Sequence, residues 1–349
     1  MQHVASRNPV QYTIEQTPDP GTTTQVAPGI HWLRMPLPFA LSHINLWLLE
    51  GSDHWDIVDT GVCNKEAQAV WRRVFSDVTH NAPVDRVFVT HMHPDHAGCA
   101  GWLCHEFNSD LWMSREEYFL CRILTADTGR DTPAEGIDFY HSAGFPPESM
   151  DRYQEIFGMF GRLVSPLPES YTRLQDGDEI DIAGRTWSVI IGRGHSPEHA
   201  CLYCVDSNVL ISGDQLLPTI SSNVSVFPTE PTANPLADWL TSLQDLKNRI
   251  PEDVLVLPAH GKPFTGAHAR LDQLIDEHHG CLDDLEKYCV EPQRAVDTFP
   301  VLFKSEIRAS NLIMATGESI AHLNYMLREG RIERYTDDAG IHWYQSGSR

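Results

Sequence analysis

Three histidines and an aspartate fall within six residues, His91, His93, Asp95 and His96 of the stretch Thr90–Gly98 (THMHPDHAG), directly after the apolar run Val87–Val89. A strand that ends in such a cluster constrains the fold strongly. Residues two apart on an extended segment point the same way, so His91 and His93 face one point, while Asp95 and His96 open the next segment and face a neighbouring one. Imidazoles packed this tightly repel one another when protonated and lose hydration when buried, so a metal is the expected reason to gather them.

A metal ion needs about four ligands, so other segments must contribute. Three candidates stand just after strand-like apolar runs: His195 in IIGRGHSPEHA, Asp214 in VLISGDQLL and His260 in VLVLPAHG. Each lies in a loop marked by glycine or proline, where strand ends deliver side chains to a shared site. His199, four residues past His195, is left outside this set.

With its motifs in the order H-x-H-x-D-H, G-H, G-D and A-H-G, the chain resembles the metallo-β-lactamase-fold hydrolase superfamily over about residues 29–265. The resemblance implies an α+β fold, an αββα sandwich. It also implies that His91, His93 and His195 bind one metal, that Asp95, His96 and His260 bind the other, and that Asp214 bridges them. Asp59 of IVDTG matches a recurrent position that supports the metal loop from outside the ligand set. Five imidazoles and two carboxylates without a thiolate suit two divalent ions; zinc is the expected metal, and iron or manganese fit the same donors. Two such ions about 3.5–4 Å apart acidify a water held between them and polarise a substrate oxygen, which makes the reaction a hydrolysis. Asp95 is the candidate catalytic residue, placed to pass a proton to the leaving group.

Departures from subfamily patterns narrow the substrate. Asp214 stands where the best-known β-lactamases of this superfamily carry a cysteine ligand, which argues against lactam cleavage. His93 stands where flavodiiron proteins have glutamate. The seven ligands match glyoxalase-II-type thioesterases, but their C-terminal glutathione-binding pattern is not recognisable. A small ester, thioester or lactone is therefore the expected substrate, with Tyr140 and His141 of an aromatic-rich segment as candidate pocket residues.

The remaining sequence organises around this core. Residues 1–28 read as an N-terminal extension and 29–265 as the catalytic domain. GIHWLRMPLP, INLWLLEG and WDIVDTG are strands in series, Asn64 caps a helix over KEAQAVWRRVFSD, and DRVFVT leads into the histidines. A helical segment at about 114–164 interrupts the strands; Ser114 with Glu117, and Thr132 with Glu135 after Pro133, fit capping boxes. ACLYCVDSNVLISGD reads as two strands, which turns Cys201 and Cys204 to opposite faces and removes them as a metal or redox pair. From 266 to 349 a long helix, helices over VLFKSEIRASNLIMA and GESIAHLNYMLREGRI, and a hairpin around DDAG read as a small winged-helix-like domain. In the last of those helices Ile320, Leu323, Tyr325, Met326 and Leu327 read as core.

The winged-helix-like tail also resembles the endoribonuclease β-lactamase-like subgroup, which makes a metal-dependent ribonuclease or phosphodiesterase the alternative, and a metal-binding DNA regulator a third reading. Charge argues against both: 26 basic and 48 acidic residues give a formal net charge of -22, which repels polyanions. Nucleic acid is therefore not the expected partner; a small molecule is, and the tail is read as a packing or homo-oligomer surface. Apolar residues make up 41% of the chain, and no run approaches the roughly 20 that span a bilayer. The N-terminus lacks a signal-peptide pattern, and the eight cysteines are scattered. Reduced thiols, no membrane and a cytoplasmic location are the expectation.

Overall fold

The computed structural model describes residues 9–38 and 41–347; the first eight residues of the expected N-terminal extension lie outside them. Two seven-stranded sheets pack face to face. The first runs in chain order from Thr23–Ala27 through Ile30–Pro36, His43–Glu50, Trp55–Val58, Val84–Phe88 and Asp110–Met113 to Thr172–Arg173. In the second, Gln11–Tyr12, Phe264–Thr265, Leu255–Pro258, Val209–Gly213, His199–Cys204, Arg185–Gly192 and Glu179–Ile182 lie side by side.

Strand alternation builds the layers. Along His43–Glu50, Trp47 and Leu49 face the second sheet, while Ile44, Leu46 and Leu48 join the core under the outer helices. Trp187, Val189, Leu202, Val209 and Ile211 answer from the second sheet, so indole and branched aliphatic groups fill the space between the sheets. Cys201 and Cys204 point to opposite faces, in different cores. All eight cysteines are free.

Helix Lys65–Asp77 covers the first sheet because Ala67, Val70, Trp71, Val74 and Phe75 recur on one face. Asn64 caps it by accepting the Ala67 N–H at 2.8 Å, a contact worth about 1 kcal/mol. Helices Pro235–Arg249, Ala267–Tyr288 and Leu312–Arg328 cover the second sheet with Leu236, Trp239, Leu243, Leu274 and Leu323. The result is an αββα sandwich. No helix among the described residues is long and apolar enough to cross a membrane.

Three local expectations need correction. The helix after Pro133 starts at Ala134, with Pro133 itself at the cap position and no side-chain cap, so Thr132 and Glu135 form no capping box. Ser114 precedes helix Arg115–Ala126 without a side-chain cap bond; its supposed partner Glu117 is used elsewhere. In the tail, Gly317 is no break: helix Leu312–Arg328 runs through it, and of VLFKSEIRASN only Val301 and Leu302 are helical, as the end of the short turn Phe299–Leu302. Hairpin Ile332–Thr336 with His342–Ser346 follows as expected. Ile320, Leu323 and Met326 are buried, with Tyr325 and Leu327 packed against them.

Gly98, which closes the histidine stretch, is needed for close approach. A Cβ there would collide with the Gly61 carbonyl oxygen and stand 2.8 Å from the Cys63 nitrogen. Gly98→Ala is expected to push the histidine loop off the segment after Asp59 and to cost about 1–3 kcal/mol, read as a lower midpoint in thermal unfolding. An unchanged midpoint would show that this contact relaxes freely.

Candidate metal centre

All seven predicted ligands are delivered to one edge of the sandwich. Trp55–Val58 and Val84–Phe88 are parallel neighbours, and their ends carry Asp59 and the His91 loop. Val209–Gly213 and Leu255–Pro258 are parallel in the other sheet and end at Asp214 and His260. Arg185–Gly192 leads directly to His195.

Two pockets result. The ligand atoms of His91, His93, His195 and Asp214 lie within 4.8 Å of one another, and so do those of Asp95, His96 and His260. In the first, His91 Nε2 lies 2.8 Å from His93 Nδ1, and His195 Nε2 lies 3.3 Å from both His91 Nε2 and Asp214 Oδ2. In the second, Asp95 Oδ2 is 3.8 Å from His96 Nε2 and 3.4 Å from His260 Nε2. Asp214 reaches both pockets, its Oδ2 being 3.6 Å from His96 Nε2 and its Oδ1 3.6 Å from His260 Nε2.

The donors fit divalent ions. His96 Nε2 and Asp214 Oδ1 are buried with no hydrogen-bond partner, an arrangement that costs free energy unless a cation takes the Asp214 lone pair and displaces any proton on His96 Nε2. Neighbouring acceptors turn the remaining nitrogens to the site. His195 Nδ1–H donates to the Asn223 carbonyl at 2.7 Å, His260 Nδ1–H to the His43 carbonyl at 2.9 Å, and His96 Nδ1–H to Asp59 Oδ2 at 2.7 Å. In each ring Nε2 is left facing the pocket. Asp59 also accepts the Thr90 N–H at 2.8 Å and adopts a left-handed φ of 62°, a conformation aspartate tolerates better than most residues.

Charge is distributed unevenly. Burial, reinforced by the neighbouring histidines, pushes His91 well below the usual imidazole range and His93 down to about 3. Burial opposes ionisation of Asp214, but the His96 and His260 rings hold its carboxyl well below the usual range. His96 is the opposite case: burial works against its charge, yet Asp59, Asp214 and Asp95 hold it well above the usual imidazole range. His260 is raised by Asp214 and Asp95 against the same burial cost. His91 and His93 of the first pocket are therefore open to a cation at neutral pH, whereas His96 and His260 of the second favour a proton that a cation would have to displace. Because a raised imidazole stays protonated until pH passes its raised value, affinity of the second pocket should fall as pH drops. Calorimetric titration of stripped protein in buffers of different ionisation enthalpy should report proton release as the second pocket fills; no release would contradict this charge pattern.

Two predicted residues are not brought to the cluster. Tyr140 is 2% exposed and packs on Phe139, Phe145 and Tyr153, and His141 Nε2 donates to the Ala339 carbonyl in the C-terminal hairpin. Tyr140 thus packs the helical segment together through its aromatic neighbours, and His141 ties that segment to the tail. Sequence reading missed several supports. His199 Nε2 accepts the Asp214 N–H at 3.1 Å. Glu117, fully buried, accepts the Met92 N–H at 2.9 Å and the Glu198 N–H at 2.8 Å, tying the first histidine loop to the His195 loop. Burial raises its carboxyl above the usual range. The only signal for Glu117 was its place three residues after Ser114, which suggested a cap instead.

A model described as the metallo-beta-lactamase superfamily matches residues 41–261, and one described as the metallo-beta-lactamase-like C-terminal domain matches residues 282–347. The chain is 25% identical over 330 residues to the probable metallo-hydrolase YqjP of Bacillus subtilis (strain 168), covering 89% of this chain and 96% of that one. It is 24% identical over 242 residues to the beta-lactamase-like protein 2 homolog of Caenorhabditis elegans, covering 69% and 63%. Among solved structures, a beta-lactamase domain protein from Burkholderia ambifaria aligns at TM-score 0.89 and 39% identity, covering 97% of this chain and 98% of that one. A metallo-beta-lactamase family protein from Thermus thermophilus aligns at TM-score 0.77 and 26% identity, covering 93% and 100%.

Proposed function

The chain belongs to the metallo-β-lactamase superfamily and is a metal-dependent hydrolase, and from that premise we propose that it uses two divalent ions, zinc in the first instance, to hydrolyse a small ester, thioester or lactone. The observation that carries this reading is the pair of adjoining pockets that share Asp214. His91, His93 and His195 would hold one ion and Asp95, His96 and His260 the other, with Asp214 between them. When bound, the ions supply Lewis acidity and acidify a water towards neutrality. The protein's own groups do the rest. Asp59, Asn223 and the His43 carbonyl fix three imidazoles, and pre-organised ligands cost no reordering during the reaction. Asp95, the most open of the ligand carboxylates at 18% side-chain exposure against 11% for Asp214, is the group to carry a proton to the departing alkoxide or thiolate.

A carbonyl substrate is favoured over a phosphodiester by the tail's cations. Arg270 and Arg328 donate to backbone carbonyls, while Lys287, Arg294, Arg308 and Arg331 pair with nearby carboxylates. Side chains so engaged, on a chain of net charge -22, leave little for phosphate contacts. Purified, metal-analysed protein should therefore turn over an acyl thioester, an aryl ester or a lactone, lose that activity in His93→Ala, and be slow on a bis-aryl phosphodiester and on single-stranded RNA. Phosphodiester cleavage with no carbonyl turnover would replace this reading by the nuclease one.

A further inference from the structure

The tail helix Leu312–Arg328 touches the loop that follows Asp214. Val226 N–H donates to the Gly317 carbonyl at 3.0 Å, and Ser225 Oγ lies 3.1 Å from the Met314 carbonyl oxygen. A Cβ on Gly317 would stand 2.8 Å from the Ser225 side chain, so helix and loop approach this closely only because residue 317 is glycine. One position on, Glu318 Oε2 accepts from Asn223 Nδ2 at 2.6 Å, and Asn223 Oδ1 accepts from Ser225 Oγ at 2.6 Å. Both ends of the Asn223 amide are thus held. Its backbone carbonyl takes the Nδ1–H of His195 at 2.7 Å.

We propose that Glu318 is a positioning residue for His195, acting through Asn223, so that the C-terminal helix sets the geometry of the His91, His93, His195 and Asp214 pocket. This inference rests on reading that pocket as a metal site. An acceptor on the far nitrogen fixes ring orientation and raises the basicity of a ligating imidazole, and such supports are worth roughly 10–100-fold in metal affinity. Among the described residues no lysine or arginine pairs with Glu318; its bonded partner is Asn223. Glu318 is partly buried, and with an amide rather than a cation as its bonded partner, desolvation pushes its carboxyl up to about 7. Glutamine can therefore replace it as an acceptor with little electrostatic change.

The test uses full-length protein stripped of metal and reloaded with cobalt(II), whose visible spectrum reports ligand geometry, with stepwise affinities from chelator competition. Glu318→Ala should weaken one of two ions by about 10–100-fold, alter the spectrum and leave the other ion within about threefold. Glu318→Gln should restore parental behaviour. Asn223→Ala, which cuts the same link without opening the helix interface, should match Glu318→Ala. Leu323→Ala, a buried cavity in the same helix, controls for packing and should lower thermal stability with the spectrum unchanged. Parental affinities and spectrum in both Glu318→Ala and Asn223→Ala overturn the inference alone. So does equal weakening of both ions that Leu323→Ala reproduces. A parental protein that takes up no metal removes the two-ion reading and this inference together.

Discussion

Asp214→Asn is expected to reduce hydrolysis by roughly 10³-fold, because several kcal/mol of electrostatic stabilisation correspond to about three decades in rate. Asp214 reaches into both pockets, 3.3 Å from His195 Nε2 on one side and 3.6 Å from His96 and His260 Nε2 on the other. An amide of the same size keeps the shape and removes the charge. It also leaves the raised His96 and His260 with one carboxylate fewer, so protonation of those rings becomes easier to reverse even as metal affinity falls. Metal content after gel filtration should drop together with rate. Activity within tenfold of parental at full metal content would show that Asp214 is not the shared ligand.

Asp59→Ala should have the next largest effect, and its two causes can be separated. Removing the carboxylate frees the Nδ1–H of His96 and leaves the Thr90 N–H, now bonded at 2.8 Å, without its acceptor. Each buried donor so exposed costs about 1–3 kcal/mol. Alanine must also adopt the φ of 62° found at this position, for which it is poorly suited. Asp59→Asn tolerates the backbone and keeps a donor–acceptor side chain, so it isolates the loss of charge. The expected outcome is a fall of about 10–100-fold in affinity of the Asp95, His96 and His260 pocket for both variants, with a large loss of thermal stability only for alanine. Equal stability of the two variants would remove the backbone part of this account.

The ligands could be read from sequence because their positions carry two signals at once: a side chain that binds metal, and a place at the end of an apolar run. Asp214 follows a strand buried throughout and His260 one buried after its first residue, both largely aliphatic, and strands that end at one edge must bring such residues together. The layers were legible for a similar reason, since period-two alternation along His43–Glu50 separates the two cores. What holds the ligands was not legible. The contribution of His43 is its backbone carbonyl, and every residue type has one. Asn223 sits in a polar loop like any other, and only the fold brings Glu318 to it from 95 residues away. Glu117 carried a local signal that a tertiary bond overrode: two N–H groups from distant loops compete for its carboxylate more strongly than a helix end does. Tyr140 illustrates a symmetrical ambiguity, because aromatic residues near a site serve cores and pockets alike. Helix Leu312–Arg328 continues through Gly317 because the helix is packed, and burial outweighs the roughly 1 kcal/mol that glycine costs there.

Two ions, held in pockets joined by Asp214, are proposed to act together on a carbonyl substrate. The most direct test is the initial rate of acyl-thioester hydrolysis by stripped protein as zinc is returned stepwise, with bound metal counted in the same samples. Two ions per chain at saturation are expected, with a rate that rises chiefly with the second, because the pocket formed by Asp95, His96 and His260 must exchange its proton for a cation before the pair is complete. Full activity in the stripped protein, or a rate that saturates with one bound ion and is unaffected by the next, would contradict the two-ion proposal.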